Sequence, residues 1–285
     1  MTVYFYRDRF VESGQSAVPI EERAYNYGDG IYELVRFDQG RPVGLDEHLE
    51  RLETSAAAVR LRLPFPLAKI RAIVVEAASR VEAPVVDVYF QISRGEAPRV
   101  HAFPEAEPVL ALFAKPGKTY TDEFRRAGVS VITVPDERWS NCYIKSLNLL
   151  PNVLAKQAAV EAGVYDAVFV RDGFVTEASA SNVFGFHAGT FHTAPAERGI
   201  LNGITRRFII AAIRELGLPL CEERMSAKFF EQEVEGAFIT STTMDIMPVC
   251  AINGRVLPSL AENSPVWTVL NRMRELSRGA GLSVG

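Results

Sequence analysis

The stretch CYIKSLNLLPNV, residues 142–153, sets a lysine between Ile144 and a run of leucines. Lys145 follows an apolar residue at a strand-like end, and a helix is expected a few residues later, over about 149–162. Pro151 suits that helix because it falls in the first turn, where backbone donors lack partners anyway. An ammonium among apolar neighbours loses hydration, and its pKa falls. A neutral amine can attack a carbonyl and form a Schiff base. The alternative is a lysine that snorkels from the end of an element into water. Lys69, Lys115, Lys118, Lys156 and Lys228 all sit in more polar or helical surroundings.

Outward from this stretch, strands and helices mix. Alternation predicts strands at Thr2–Tyr6, Ile31–Phe37 and 86–93, and PVLALFA (108–114) reads as a buried strand. Leu45, Leu49, Leu52, Ala56 and Val59 follow helical spacing, as do Leu67, Ile70, Ile73, Val74 and Ala77. KPGKTYTD (115–122) is polar, holds Pro and Gly, and reads as a linker. Beyond it come strands at Gly128–Val134, Ala167–Val170, Val183–Phe186, Gly236–Thr240 and Ile246–Ile252, and helices over about 204–217 and 264–277. Asn253-Gly254 is expected to turn a hairpin. The final RGAGLSVG reads as frayed. Strands in direct succession favour an α+β fold over a doubly wound sheet. The expected division is an N-terminal domain over 1–116, a linker over 117–122 and a C-terminal domain over 123–285 that carries Lys145.

Composition narrows the class. The 285 residues are 48% hydrophobic and carry a net charge of −4, with no basic run interleaved with aromatics, which argues against a nucleic-acid partner. Cys142, Cys221 and Cys250 are odd in number and far apart; they read as reduced thiols of a cytoplasmic protein without metal-type pairing. MTVYFYRDRF is charged too early for a secretory signal, and no apolar run has the length of a membrane span.

Three further segments bear on Lys145. In LNGITRR (201–207), Asn202 or Gly203 starts a helix whose free N–H groups can hold a phosphate, with the Thr205 hydroxyl beside them. TSTTMD (240–245) sets three hydroxyls at a strand end. VTEASASNVFG (175–185) places Glu177 among small residues before a strand, where a flat ligand can approach. Taken singly these are a helix cap, a polar turn and a loop carboxylate. Together, an amine for an imine, two anion cups and an acid suit pyridoxal phosphate, whose ring nitrogen needs a carboxylate partner to act as an electron sink.

On YNYGDGIYE (25–33), DEHLERL (46–52), YFQISRGEAPRVHAFP (89–104), IKSLNLLPNVLAKQ (144–157), TEASASNVFG (176–185), ILNGITR (200–206) and TSTTMDIMPV (240–249), the chain resembles the fold-type IV pyridoxal-phosphate enzymes, and among them the D-amino acid aminotransferases. The resemblance implies a two-domain homodimer in which Lys145 forms the Schiff base and shuttles the proton. It implies that Glu177 meets the pyridine nitrogen and that Leu201 packs on the ring. Arg51, Ile204, Thr205 and Thr242 match the residues that hold the phosphate, and Tyr32, Arg99 and His101 match those that hold the substrate carboxylate. Arg99 and His101, two apart, point the same way if the segment is extended, and their chemistry suits a carboxylate. The implied partners are small molecules, an amino acid and a 2-oxo acid, and the implied reaction passes the amino group of a D-amino acid to 2-oxoglutarate. An L-branched-chain aminotransferase and an aminodeoxychorismate lyase share the fold and stay open as alternatives, as does a non-catalytic binding protein.

Overall fold

The computed structural model of the chain describes residues 1–15, 18–258, 260 and 263–279, so most of the C-terminal RGAGLSVG lies outside the described residues. The chain forms two compact units: Met1–Lys118 with Ile144–Asn148, and Thr119–Tyr143 with what is described from Leu149 onward. The first junction, at Lys118, falls within the expected linker. Ile144–Asn148 departs from the expected division, because it groups with the first unit and takes Lys145 with it. The reason is backbone pairing. The Tyr32 amide donates to the Lys145 carbonyl and the Leu147 amide to the Gly30 carbonyl, each at 3.0 Å.

The first unit comprises β1 (Val3–Tyr6), β2 (Arg9–Val11), α1 (Arg23–Tyr27), β3 (Gly30–Asp38), β4 (Arg41–Pro42), α2 (Leu45–Ala58), α3 (Leu67–Ser79), β5 (Val85–Ser93) and β6 (Val109–Pro116). Its sheet runs β2-β1-β6-β5-β3-β4, and every pairing is antiparallel. β3 and β5 pair along their full length, from Gly30↔Ser93 to Asp38↔Val85. The period of two puts Ile31, Glu33, Val35 and Phe37 on one face of β3, and all four are buried. α2 buries the face bearing Leu45, Leu49, Leu52 and Ala56. Asp46 and Glu47 in its first turn complement the helix dipole.

The second unit comprises α4 (Asp122–Ala127), β7 (Val129–Pro135), α5 (Leu150–Glu161), β8 (Asp166–Arg171), β9 (Phe174–Ala178), β10 (Asn182–His187), β11 (Thr190–Thr193), α6 (Ile204–Glu215), β12 (Leu220–Cys221), α7 (Ala227–Gln232), β13 (Gly236–Ser241), β14 (Asp245–Ile252), β15 (Arg255–Val256) and α8 (Pro265–Arg278). The sheet order is β12-β11-β10-β13-β14-β7-β8-β9, with β15 on β14. β7 pairs in parallel with both β8 and β14, which makes this sheet mixed. β9 and β10 stand far apart in that order, yet only residues 179–181 join them. Three residues reach roughly 10–14 Å across their flanking Cα atoms, so the sheet must curl to bring the two strands together. Phe184 stacks on Phe238 at 4.8 Å beneath Ile209 and Ile213 of α6 and Val269 and Met273 of α8.

Asn253 and Gly254 turn the β14–β15 hairpin with φ of 48° and 81°, the positive pair that a type I′ turn requires. The leucines after Lys145 are less buried than the sequence predicts: Leu150 is 68% exposed, and Val153, Leu154 and Val160 share that open face of α5. Among the described residues, no helix is long and apolar enough to cross a membrane.

Candidate active site

The residues singled out in the sequence divide between the units. Tyr32, Arg51, Arg99, His101 and Lys145 belong to the first, and Glu177, Leu201, Ile204, Thr205 and Thr242 to the second.

In the first unit, the backbone of Lys145 is held on both sides. Its amide donates to Ser55 Oγ of α2 at 3.2 Å, and its carbonyl accepts from the Tyr32 amide of β3. Half-buried, its Nζ lies 4.2 Å from the centroid of the Tyr32 ring. Tyr32 in turn lies 5.5 Å from Tyr89, which stacks on Phe113 at 5.0 Å. The amine thus rests on a π face backed by a row of aromatic rings, which attracts a cation without neutralising it as a carboxylate would.

Beneath this lies a buried charge cluster. Glu33 accepts from Arg51 Nε at 2.8 Å and Nη2 at 2.7 Å, and meets His48 Nδ1 at 2.7 Å. Burial alone would raise the Glu33 pKa, but Arg51 and His48 outweigh it and hold the carboxyl down from 4.5 to about 2. Burial pushes His48 the other way, below its ordinary value, with Arg51 and Lys145 adding to the effect against Glu33. The neutral ring therefore carries its proton on Nδ1, toward Glu33. Arg51, expected at a phosphate, thus spends two of its nitrogens tying α2 to β3.

Arg99 and His101 are exposed, and they sit in bends rather than in an extended strand. They nevertheless meet at one ring: the Arg99 guanidinium lies 4.9 Å from the Tyr27 centroid and the His101 ring 5.4 Å from it. Tyr32 belongs to the other aromatic group, with Tyr89 and Lys145.

In the second unit, Glu177 lies on β9, not in a loop, and is 6% exposed. Arg138 Nη1 donates to its Oε1. Its Oε2 accepts from Asn182 Nδ2 and the Leu201 amide, each at 3.3 Å. Arg138 is shared: its Nε and Nη2 each lie 2.8 Å from Asp136, whose other neighbours are Arg171 at 3.0 Å and the Thr176 hydroxyl at 2.8 Å. Burial works against the ionised Asp136, but the bond from Arg138 overcomes it and the carboxyl titrates below its usual range.

Asn182 joins three parts of this site. It supports Glu177, it donates to the Leu201 carbonyl at 2.9 Å, and it pairs across the sheet with Thr240. Gly203, the N-cap of α6, packs so closely that an added Cβ would stand 2.1 Å from Asn182 Oδ1. No side chain caps that helix start, where buried Ile204 and Thr205 follow. Thr240 Oγ1 is buried without a hydrogen-bond partner. Thr242 lies in the turn after β13, and buried Arg125 braces that turn by donating to the carbonyls of Met244 and Ile246.

Sequence reasoning passed over Glu33, Asp136, Arg138 and Asn182. Only Glu33 left a signal, since the alternation of β3 sets it on the Ile31–Val35–Phe37 face, where a carboxylate needs a partner. Asp136 and Arg138 pair locally, two residues apart, but Arg138 reaches Glu177 across 39 residues and Asn182 reaches Leu201 across 19.

The second unit fits pyridoxal phosphate. A buried acid paired with a guanidinium can hold a proton on a ring nitrogen. An uncapped helix start and an orphaned hydroxyl one strand away from it can receive a phosphate.

Comparison with known proteins points the same way. Residues 30–252 match the family model described as amino-transferase class IV. The D-alanine aminotransferase of Bacillus licheniformis is 38% identical over 259 residues, which cover 89% of each chain. That of Staphylococcus haemolyticus is 37% identical, covering 89% of this chain and 90% of its own. Among solved structures, the branched-chain aminotransferase of Thermoproteus uzoniensis with norvaline superposes with a TM-score of 0.85 at 24% identity, covering 96% of this chain and 93% of that one. The Escherichia coli branched-chain amino acid aminotransferase gives 0.87 at 19%, covering 99% and 96%. At these identities the structures speak for the fold. With most of its length matched by the family model and 37–38% identity to curated relatives along 89% of the chain, it belongs to the class IV aminotransferases.

Proposed function

We propose that this protein is a pyridoxal-phosphate-dependent transaminase that passes the amino group of D-amino acids, D-alanine among them, to 2-oxoglutarate, giving a 2-oxo acid and D-glutamate. The observation that carries the reading is the 38% identity to a D-alanine aminotransferase along 89% of both chains. The reaction runs in two halves, with the 2-oxo acid leaving before the acceptor enters.

The cofactor, when bound, supplies an aldehyde for the amino group and a protonated ring that draws electrons from the substrate α-carbon. Lys145 would hold that aldehyde, and its amine would move the α-proton. Arg138 donates to Glu177, and Glu177 would hold a proton on the ring nitrogen. Leu201 packs on the ring. The first-turn amides of Ile204 and Thr205, with Thr242 and Arg51, hold the phosphate. Tyr32, Arg99 and His101 hold the substrate carboxylate. Because the amine would act from one fixed face, the side on which the carboxylate is held would select which hand of substrate presents its α-hydrogen.

The protein works as a cytoplasmic homodimer in this reading. The open apolar face of α5, with Leu150, Val153, Leu154 and Val160, supports assembly. The cysteines Cys142, Cys221 and Cys250, all free thiols, support a reducing compartment.

Initial rates with D-alanine and with L-leucine, each with 2-oxoglutarate, test the function. D-alanine is expected to be the better donor, with D-glutamate as product. A clear preference for L-leucine overturns the reading in favour of a branched-chain aminotransferase, and pyruvate release from aminodeoxychorismate overturns it in favour of a lyase.

A further inference from the structure

Residues 94–108, between β5 and β6, carry Arg99 and His101 and are irregular apart from the Glu22–Glu96 bridge. The neck of this loop is shut. Gly95, at φ +99°, passes so near the Glu107 carbonyl that an added Cβ would stand 2.1 Å from its oxygen. A loop of this length costs conformational entropy to order, and its two working side chains are exposed, so something else must hold them.

Buried charges do so. Asp29, just before β3, accepts from Arg23 Nε at 2.8 Å and from Arg94 Nε and Nη2 at 2.9 Å and 3.1 Å. Arg23 and Arg94 are 3% and 7% exposed. Arg23 Nη1 donates at 2.6 Å to the carbonyl of Val100, the residue between Arg99 and His101. The Arg23 guanidinium also lies 4.8 Å from the Tyr27 ring on which Arg99 and His101 meet. Arg94 lies 3.8 Å from the centroid of Phe103, two residues beyond His101, and Arg60 lies 4.8 Å from the same ring. One carboxylate therefore orients two guanidiniums that grip the loop on either side of His101.

We propose that Asp29, acting through Arg23 and Arg94, positions the Arg99–His101 segment and so sets the affinity for the α-carboxylate that donor and acceptor share. Asp29 and Arg23 are positioning residues, and the inference rests on the reading of Arg99 and His101 as the carboxylate-binding pair. A charge-assisted bond to the backbone between them fixes both side chains at once, and preorganisation of that kind appears in binding rather than in chemistry.

The test uses the cofactor-loaded enzyme with 2-oxoglutarate and D-alanine, or L-leucine if the wild type prefers it. Asp29→Asn and Arg23→Lys are each expected to raise KM for donor and acceptor together by about 5–10-fold, with kcat changing less than about threefold. In an Arg99→Ala background, Asp29→Asn is expected to add less than about twofold, because the two changes act on one contact. Unaltered KM in both single variants, or full additivity in the double variant, overturns the inference while leaving the carboxylate reading intact. An Arg99→Ala enzyme of normal KM overturns both. Thermal melts run alongside, and if Asp29→Asn does not fold, the charge-preserving Arg23→Lys decides.

Discussion

Arg51 and Arg138 are both buried and both clasp carboxylates, yet they leave their anions in different states. Glu33 is 0% exposed, and each of its oxygens takes a short bond from Arg51, with His48 adding a third. Arg138 instead serves two anions: Asp136 takes Nε and Nη2, and Glu177 takes Nη1. Glu177 Oε2 accepts from Asn182 and from the Leu201 amide at 3.3 Å, at the long end of the hydrogen-bond range. A carboxylate held tightly through both oxygens is scaffold, and here it anchors the helix whose Ser55 holds the Lys145 amide. A carboxylate that shares its guanidinium with a second acid and takes long bonds from an amide side chain and a backbone N–H can exchange one of those long bonds for a ligand N–H at small cost.

The sharpest way to break this comparison is to neutralise each acid. Glu33→Gln removes the buried negative charge that faces both Arg51 and His48 and is expected to cost about 3–5 kcal/mol of stability, measured by urea unfolding. Glu177→Gln is expected to lower kcat by about 10²-fold with a smaller effect on unfolding, because the lost role is electrostatic support of the reaction. If Glu33→Gln damages only turnover, or Glu177→Gln only stability, the two clusters have been assigned the wrong way round.

Acid titration sharpens the same contrast. The folded Glu33 carboxyl is depressed, so its stabilisation is complete above the unfolded value of 4.5 and is lost as pH falls from there toward about 2. That shift corresponds to about 3 kcal/mol. His48 is also depressed, so its share is complete above its ordinary 6.5 and is lost below it. Unfolding free energy measured from pH 7 downward should therefore decline, and the part of the decline below pH 4.5 should flatten in Glu33→Gln. Identical pH curves for variant and wild type would remove the cluster as the acid-sensitive element.

The smallest expected effect is at Gly203. A methyl there meets Asn182 Oδ1, so Gly203→Ala must displace the side chain that links Glu177, Leu201 and the start of α6. It is expected to cost about 1–3 kcal/mol and to weaken retention of pyridoxal phosphate, read as the loss of the visible chromophore on dialysis. Full retention of the chromophore would show that Asn182 is not part of the cofactor cradle.

Much of the secondary structure could be read from the chain. Periodicity is a local property, and the long elements carry enough of it: β3, β5, α2, α3, α6 and α8 all stand where alternation or helical spacing puts them. The short elements do not. α1, α4 and β9 have five or six residues each, too few for a period to establish itself, so the sequence places Glu177 before a strand rather than on one.

The sequence by itself determined the chemistry on offer: one lysine poised after an apolar residue, an acid among small side chains, an uncapped glycine at a helix start, and the family to which these belong. Only the tertiary structure decided who holds whom. Arg138 reaches Glu177 across 39 residues, Arg23 reaches Val100 across 77, and Ser55 reaches Lys145 across 90. Such partnerships depend on strand order and sheet curl. Nothing in a residue's near neighbours along the chain encodes them, because a buried charge is satisfied by whatever the fold brings within hydrogen-bond reach.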